Sequence, residues 1–461
     1  MKKGMVLVLL VMFVCSFLVA QEVEGLKIGK TTWKFNGEIR FMYTDQTDPM
    51  YYNGTVVKAL DPFTADQINR MYQRYRFGIT GELNDRLSAH FEFQVGDEQW
   101  GNKNYNEREV NLRTLYAYLQ FRPEILGDNT TFRVGLQGYD DIFQTSVFSD
   151  EAIGIIVNQN MDKFIANFGF LTLRDDDVDT GVVISPDAEG LFTSASTLYL
   201  ADMSYAFTDA LTVKGAFYYD YLTNLPPGDV VMYQSAIAFY GIGADYLLNE
   251  SLSFGGHFVL RSGTSKVIAD GEEVFKSNQS GYFAYSYASY TQDKFSAKIN
   301  FGYTPMNIET SSDSFDITRW GGAFALLSND PMGIIYGFAE GDQWQTAYGL
   351  EYYGRGEVCD RLAMDSGYGG ILGLMVISAN LSYDFLYANF GILRATADED
   401  TFVGLKKNYG TEIDLGIKTK IMEGLEFKAV YAMFFTGDFY EYDDVTLDNG
   451  HEMSMLLRYT F

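Results

Sequence analysis

From Lys34 to Tyr43 the chain alternates residue by residue, with Phe35, Gly37, Ile39, Phe41 and Tyr43 on one parity and Lys34, Asn36, Glu38, Arg40 and Met42 on the other. A period of two places such sets on opposite faces of a strand. The pattern returns in Tyr75, Phe77, Ile79, Gly81 and Leu83 and again in Leu87, Ala89, Phe91, Phe93 and Val95, with only Asn84-Asp85-Arg86 between them. That predicts a hairpin with a tight turn. Like units flank Thr208-Asp209-Ala210, Asn249-Glu250, Gln292-Asp293 and Glu423-Gly424. Between the tight turns lie longer segments rich in Asp, Asn, Gly and Ser, at 44–69, 174–195, 262–278 and 437–450.

Short turns alternating with long loops, joined by amphipathic strands of about ten residues, point to an all-β transmembrane antiparallel up-and-down β-barrel, apolar outside and polar inside. Turns near Asn84, 123–129, 159–162, Asp209, Asn249, Asp293, Ser382 and Glu423 make eight, hence 18 strands, within a range of 16 to 20. The stretch 321–337 lacks clean alternation and is read as part of one long loop, 305–367, which either folds into the lumen as a constriction or stands outside as a flap. A soluble β-sandwich or propeller would also alternate. Against it stand the asymmetry of turns and loops, the want of a repeated blade motif, and the two ends of the chain.

At the N-terminus Lys2 and Lys3 precede an apolar run from Met5 to Leu18 that ends in Val19-Ala20-Gln21, the pattern of a secretory signal peptide over 1–20. Residues 21–32 are read as a short periplasmic segment and 33–461 as the barrel. At the other end Met453, Met455, Leu457, Tyr459 and Phe461 share one parity. A closing strand ending in Phe resembles that of bacterial outer-membrane proteins, where the assembly machinery reads it. No later run reaches the ~18 apolar residues of a spanning helix.

The blocks Gln73-Arg74-Tyr75-Arg76-Phe77-Gly78, Gly96-Asp97-Glu98-Gln99-Trp100-Gly101, LRTLYAYLQF over Leu112–Phe121, and Phe132-Arg133-Val134-Gly135-Leu136-Gln137 resemble the first third of bacterial outer-membrane porins of the alginate-export-like group. The resemblance implies a passive channel and leaves the solute open. Leu136 stands where that group often has Arg, which weakens any transfer of its polyanion selectivity.

Composition sharpens this picture. Aromatic residues make up 16% of the chain, 36 Phe, 34 Tyr and 4 Trp, and suit a lipid-facing surface with interfacial girdles. The formal charge of -27 argues against nucleic acid as a partner. On the parities assigned to the lumen, however, eleven basic residues face ten acidic ones. The excess therefore sits in loops such as Asp175-Asp176-Asp177-Val178-Asp179 and Asp398-Glu399-Asp400. Asp175, Asp177 and Asp179 are weak candidates for Ca2+, lacking the Gly and distal Glu of a calcium loop, and no other cofactor is implied.

The candidate pore-lining residues are Arg40, Arg74, Arg76, Arg133, Glu38, Glu82, Glu92, Tyr116, Tyr118, Lys214 and Asp220. Clustered guanidinium groups favour anions through forked donors. The same arginines can instead pair with Glu38, Glu82 and Glu92 as an interior network. Tyr116, Tyr118 and Tyr218 offer rings for stacking on sugars. Three His, at 90, 257 and 451, fall outside any nucleophile, metal-protease or phosphate-loop motif, so the expectation is no enzyme. Three functions remain: a diffusion porin for small hydrophilic solutes, a selective channel for anionic solutes or acidic polysaccharide, and a surface structural or adhesive barrel. Expected partners are outer-membrane lipid, the solute and the assembly machinery, with a homotrimer as the oligomer to test.

Overall fold

The computed structural model describes residues 26–47, 67–100, 112–144, 147–174, 193–225, 231–269, 272–310, 315–319, 374–396, 407–438 and 449–461. Its strands are β1 (Leu26–Ile28), β2 (Thr31–Thr47), β3 (Gln67–Asn84), β4 (Leu87–Trp100), β5 (Leu112–Phe121), β6 (Thr130–Asp140), β7 (Ser149–Met161), β8 (Phe164–Arg174), β9 (Thr193–Ala206), β10 (Leu211–Leu225), β11 (Val231–Leu247), β12 (Leu252–Ala269), β13 (Glu272–Gln292), β14 (Phe295–Thr304), β15 (Met306–Thr310), β16 (Phe315–Arg319), β17 (Leu374–Tyr383), β18 (Leu386–Arg394), β19 (Asn408–Met422), β20 (Leu425–Thr436) and β21 (Gly450–Thr460).

Each barrel strand pairs antiparallel with the next, β14 pairs directly with β17, and β2 pairs with β21, so the wall closes on itself with 18 strands, β2 to β14 and β17 to β21. Closure satisfies every ladder and leaves no edge in the bilayer. The two parities separate as expected. Phe168, Tyr240, Ile242, Ile299, Tyr383 and Leu415 are exposed on the outer face, while Arg74, Gln94, Arg261, Asn300 and Asp414 are buried on the inner one. This two-faced closed wall is the architecture of an outer-membrane protein. No helix among the described residues is long and apolar enough to cross a membrane.

Local chemistry makes the tight turns. Asp162, Asp293 and Asp384 take positive φ of 33°, 52° and 56°, and Gly424 takes 71°, the left-handed region that Asp and Gly tolerate and hairpins need. In the other turns a side chain substitutes: the Leu211 N–H donates to Thr208 Oγ1 at 3.0 Å, and the Leu252 N–H to Asn249 Oδ1 at 2.9 Å.

One turn differs from the sequence reading: Ser382 lies inside β17 and the chain reverses two positions later, at Asp384, while the turn read at 159–162 falls at the end of its range, on Asp162. Two loops are also shorter than expected. The segment 262–278 is mostly wall, with Ser262 paired to Ser280 and Ser265 to Ser277, because an alternation of Ser, Thr and Lys is still a period of two. Likewise β2 runs to Thr47 and β3 begins at Gln67. Strand length is far from uniform, 21 residues in β13 but 10 in β5 and 11 in β6. The wall is therefore tall along β10 to β13 and low at β5 and β6.

Within 305–367, Met306–Thr310 and Phe315–Arg319 form a hairpin whose second strand runs parallel to β13, Ser277 beside Phe315, and so extends the wall. The remainder of that loop, residues 1–25, and Asp175, Asp177 and Asp179 lie outside the described residues.

Candidate functional site

Among the described residues, the segment that enters the lumen is the short connection after β6. Asp141 receives the Phe143 N–H on one oxygen at 2.6 Å and the Val147 and Phe148 N–H groups on the other at 2.7 and 2.8 Å. The Asp141 N–H closes the base on the Phe148 carbonyl at 3.0 Å. Three amides on one carboxylate are strong, charge-assisted bonds, and they fold the described residues of this connection into a compact knot. Asp141, Phe143, Val147 and Phe148 are all buried. Beneath the knot, Tyr139 and Tyr218 both donate to Asp202 Oδ2, the latter at 3.1 Å, and Asn167 donates to Oδ1 at 2.9 Å. Asp202 is thus satisfied on both oxygens and ties β6, β8, β9 and β10 together.

From this base the Phe143 ring reaches β11 and β12, five strands round the wall. It lies 5.3 Å from the His257 ring, which in turn lies 5.0 Å from Tyr285 and 5.5 Å from Phe283. The positions it meets on β11 are Gly241 and Gly243. This side of the lumen is lined by buried apolar residues, among them Leu171, Leu198, Leu200, Phe239, Val259 and Phe283. A third of the inner wall thus carries a hydrophobic core that the in-folded loop helps to fill.

The rest of the inner wall is mostly polar, interrupted by a small buried cluster of Met42, Val430 and Leu456 on which Tyr387 packs. Arg40 stands directly opposite Arg74 on one side and Arg458 on the other, a row of three guanidinium groups across β21, β2 and β3. Like charges in register repel, and carboxylates answer them. Arg74 donates to Glu38 Oε1 through Nη2 at 2.7 Å and Nε at 3.1 Å, and Arg458 donates to Glu426 at 3.0 Å. Arg76 donates to Gln94 at 2.8 Å. Across β13 to β19 runs a one-way chain of donors: Tyr285 Oη to Asn300, Asn300 Nδ2 to Asn380, Asn380 Nδ2 to Asn389, and Asn389 Nδ2 to Asp414, at 2.8, 2.8, 3.2 and 3.2 Å.

The residues singled out in the sequence are distributed as follows. Arg40, Arg74 and Arg76 come together with Glu38, while Arg133 lies three strands away on β6, its guanidinium 5.0 Å over the Tyr118 ring. Glu82 holds Lys34 at 2.7 Å, and Glu92 lies 3.5 Å from His90, so neither serves an arginine as the network reading had it. Lys214 holds Asp245 at 2.6 Å. Asp220 stands in register between Leu198 and Ile237, on the apolar side. Stacking on sugars finds little room: Tyr218 is fully buried with its hydroxyl on Asp202, and Tyr118 is engaged by Arg133 and by the His90 ring at 5.1 Å. Tyr116 lies 6.2 Å from the same His90 ring.

His90 Nδ1 is 2.8 Å from the Thr80 hydroxyl, so hydroxyl, imidazole and the Glu92 carboxylate stand in line on neighbouring strands. A hydrolase would also need amide donors aimed at an oxyanion, and the backbone here is spent in the β3–β4 and β4–β5 ladders. Among the described residues no group of three or more His, Cys, Asp or Glu is placed to hold a metal ion.

Asp141 and Phe143 were not singled out from the sequence. The available signal was apolar content in the wrong place: Phe143, Val147 and Phe148 sit in a connection on the long-loop side, where solvated loops are polar.

No family model matches the chain, and no curated protein matches it either. Among solved structures, Pseudomonas aeruginosa OccK9 (OpdG) is similar at 10% identity over 93% of this chain and 98% of its own, with a TM-score of 0.53. Acinetobacter baumannii OccAB3 is similar at 12% identity over 93% and 99%, with a TM-score of 0.51. At these identities the likeness is one of fold, an 18-stranded outer-membrane barrel.

Proposed function

We propose that the protein is an outer-membrane porin, a passive diffusion channel for small hydrophilic solutes. The observation that carries this is the divided lumen. One side is apolar and filled by the loop from Asp141, and the other, from β13 round to β4, is predominantly polar around a small apolar cluster of Met42, Val430 and Leu456. Barrels of this strand number leave an aqueous channel unless something enters it. With fixed donors and acceptors of both signs, a polar solute exchanges its hydration for partners already in place.

The row Arg458, Arg40 and Arg74 favours a second reading, a channel selective for anionic solutes. Glu38 and Glu426 offset two of those charges, which supports the less selective one. An acidic polysaccharide, as the alginate-export-like resemblance suggests, would have to thread past the in-folded loop. The third reading, a structural or adhesive barrel, needs no pore.

Planar-bilayer recording distinguishes them. The porin reading expects stable ohmic conductance with a small reversal potential across a KCl gradient. A strong anion preference lost in Arg40→Gln supports the second reading instead, and correctly folded protein without conductance leaves only the third.

A further inference from the structure

Gly241 and Gly243 are alternate residues on the inner face of β11, in a row that otherwise carries Ile237, Phe239 and Asp245. Bare backbone at two successive inward positions is unusual in a buried apolar wall, where side chains fill the taper. The Phe143 ring explains it. A Cβ built on Gly241 would collide with that ring, and the three atoms nearest to it all belong to Phe143; a Cβ on Gly243 would press first on the Gly256 carbonyl and His257 Cβ, each at 3.0 Å, and then meet Phe143 Cε1 at 3.4 Å. The loop thus reaches into a seat that two glycines leave open, and His257 forms its side.

We propose that Phe143 is the residue that fixes the bore, its ring pinned on Gly241 and Gly243 so that the loop knotted on Asp141 is held across the lumen. Asp141 gives the loop its shape, and Phe143 gives it its position. The covered wall includes Val259, fully buried and directly opposite Gly241 on β12. The effect on conductance rests on the porin reading; the pinning does not.

The test uses full-length protein with Cys15 and Cys359 both replaced by Ser, refolded and checked by its heat-modifiable mobility. Gly241→Ala adds a methyl group to the wall, which as simple lining would narrow the pore. If the ring is pinned there, the methyl evicts it, and conductance rises by roughly half or more. Phe143→Ala raises conductance likewise, and Gly241→Ala on that background adds nothing further. Gly215→Ala, whose Cβ meets Met203 at 3.7 Å and the Gly241 carbonyl at 4.0 Å, both ordinary contacts, serves as the control and is expected to leave conductance unchanged. Independently of conduction, Val259→Cys is expected to react with a charged thiol reagent about tenfold or more faster when Phe143→Ala or Gly241→Ala is present, because the loop no longer covers it. Unchanged labelling in both variants overturns the pinning. Faster labelling in a protein that never conducts overturns the porin reading and leaves the pinning in place. Faster labelling with unchanged conductance in a protein that does conduct overturns Phe143 as the determinant of the bore.

Discussion

Arg74 is 4% exposed and the Glu38 carboxylate takes two of its donors, so this pair should behave as a buried one. Glu38→Gln keeps the shape and removes the charge; it is expected to lower barrel stability by about 1.5–3 kcal/mol, the range for hydrogen bonds to charged groups, read from urea unfolding in detergent micelles. Asp141 belongs to the same scale. Burial pushes its carboxyl up to about 6 from an ordinary 3.8, against three amide bonds that favour the charge. Below 3.8 the carboxyl holds its proton whether the loop is seated or released. Between 3.8 and about 6 the seated loop keeps a proton that the released loop has lost. Seating is therefore expected to weaken as pH rises through that window and to level off above it. Labelling of Val259→Cys across pH, divided by the rate of the same cysteine on the Phe143→Ala background to remove the thiol's own titration, reads this, and Asp141→Asn should give a flat ratio.

At the scale of elements, turn chemistry decides where each hairpin reverses. Asp293 holds a left-handed φ of 52° with a side chain that Gly would not carry. Asp293→Gly is expected to be neutral or stabilising by up to about 1 kcal/mol, whereas Asp293→Val should cost at least that much; both are read from unfolding midpoints. The strands were legible because alternation is a local signal carried by each residue and its next neighbour. Their ends were less so. Ser262 to Lys266 looked like loop because polar composition hides a period of two, and Ser382 looked like a turn because the residue that bends the chain is two positions on. The contents of the lumen were least legible. Alternation says that Arg40, Arg74 and Arg458 face inward, but their row depends on the register between β21, β2 and β3, which no short window of sequence contains. The Phe143 seat joins residues a hundred positions apart for the same reason.

For the whole molecule, the wall separates two solvents, and the same substitution should have opposite standing on its two faces. Ile299 is 60% exposed midway along β14. Ile299→Arg is expected to cost about 2–4 kcal/mol, as a charge at bilayer depth, while Ser296→Arg, three residues away on the inner face, should cost much less; equilibrium unfolding from lipid vesicles compares them. The formal charge of -27 says nothing about either face, since the lumen parities nearly balance.

The last ladder has a consequence in time rather than in space. Phe461 donates to the Gly37 carbonyl at 3.1 Å and receives the Gly37 N–H at 3.0 Å, and β2 is otherwise zipped to β21. The first barrel strand to be made therefore waits for β21, at the far end of the barrel sequence, before its second edge is covered. No chain that lacks β21 can close this wall, so every earlier stage carries two bare strand edges that must be kept from pairing with anything else.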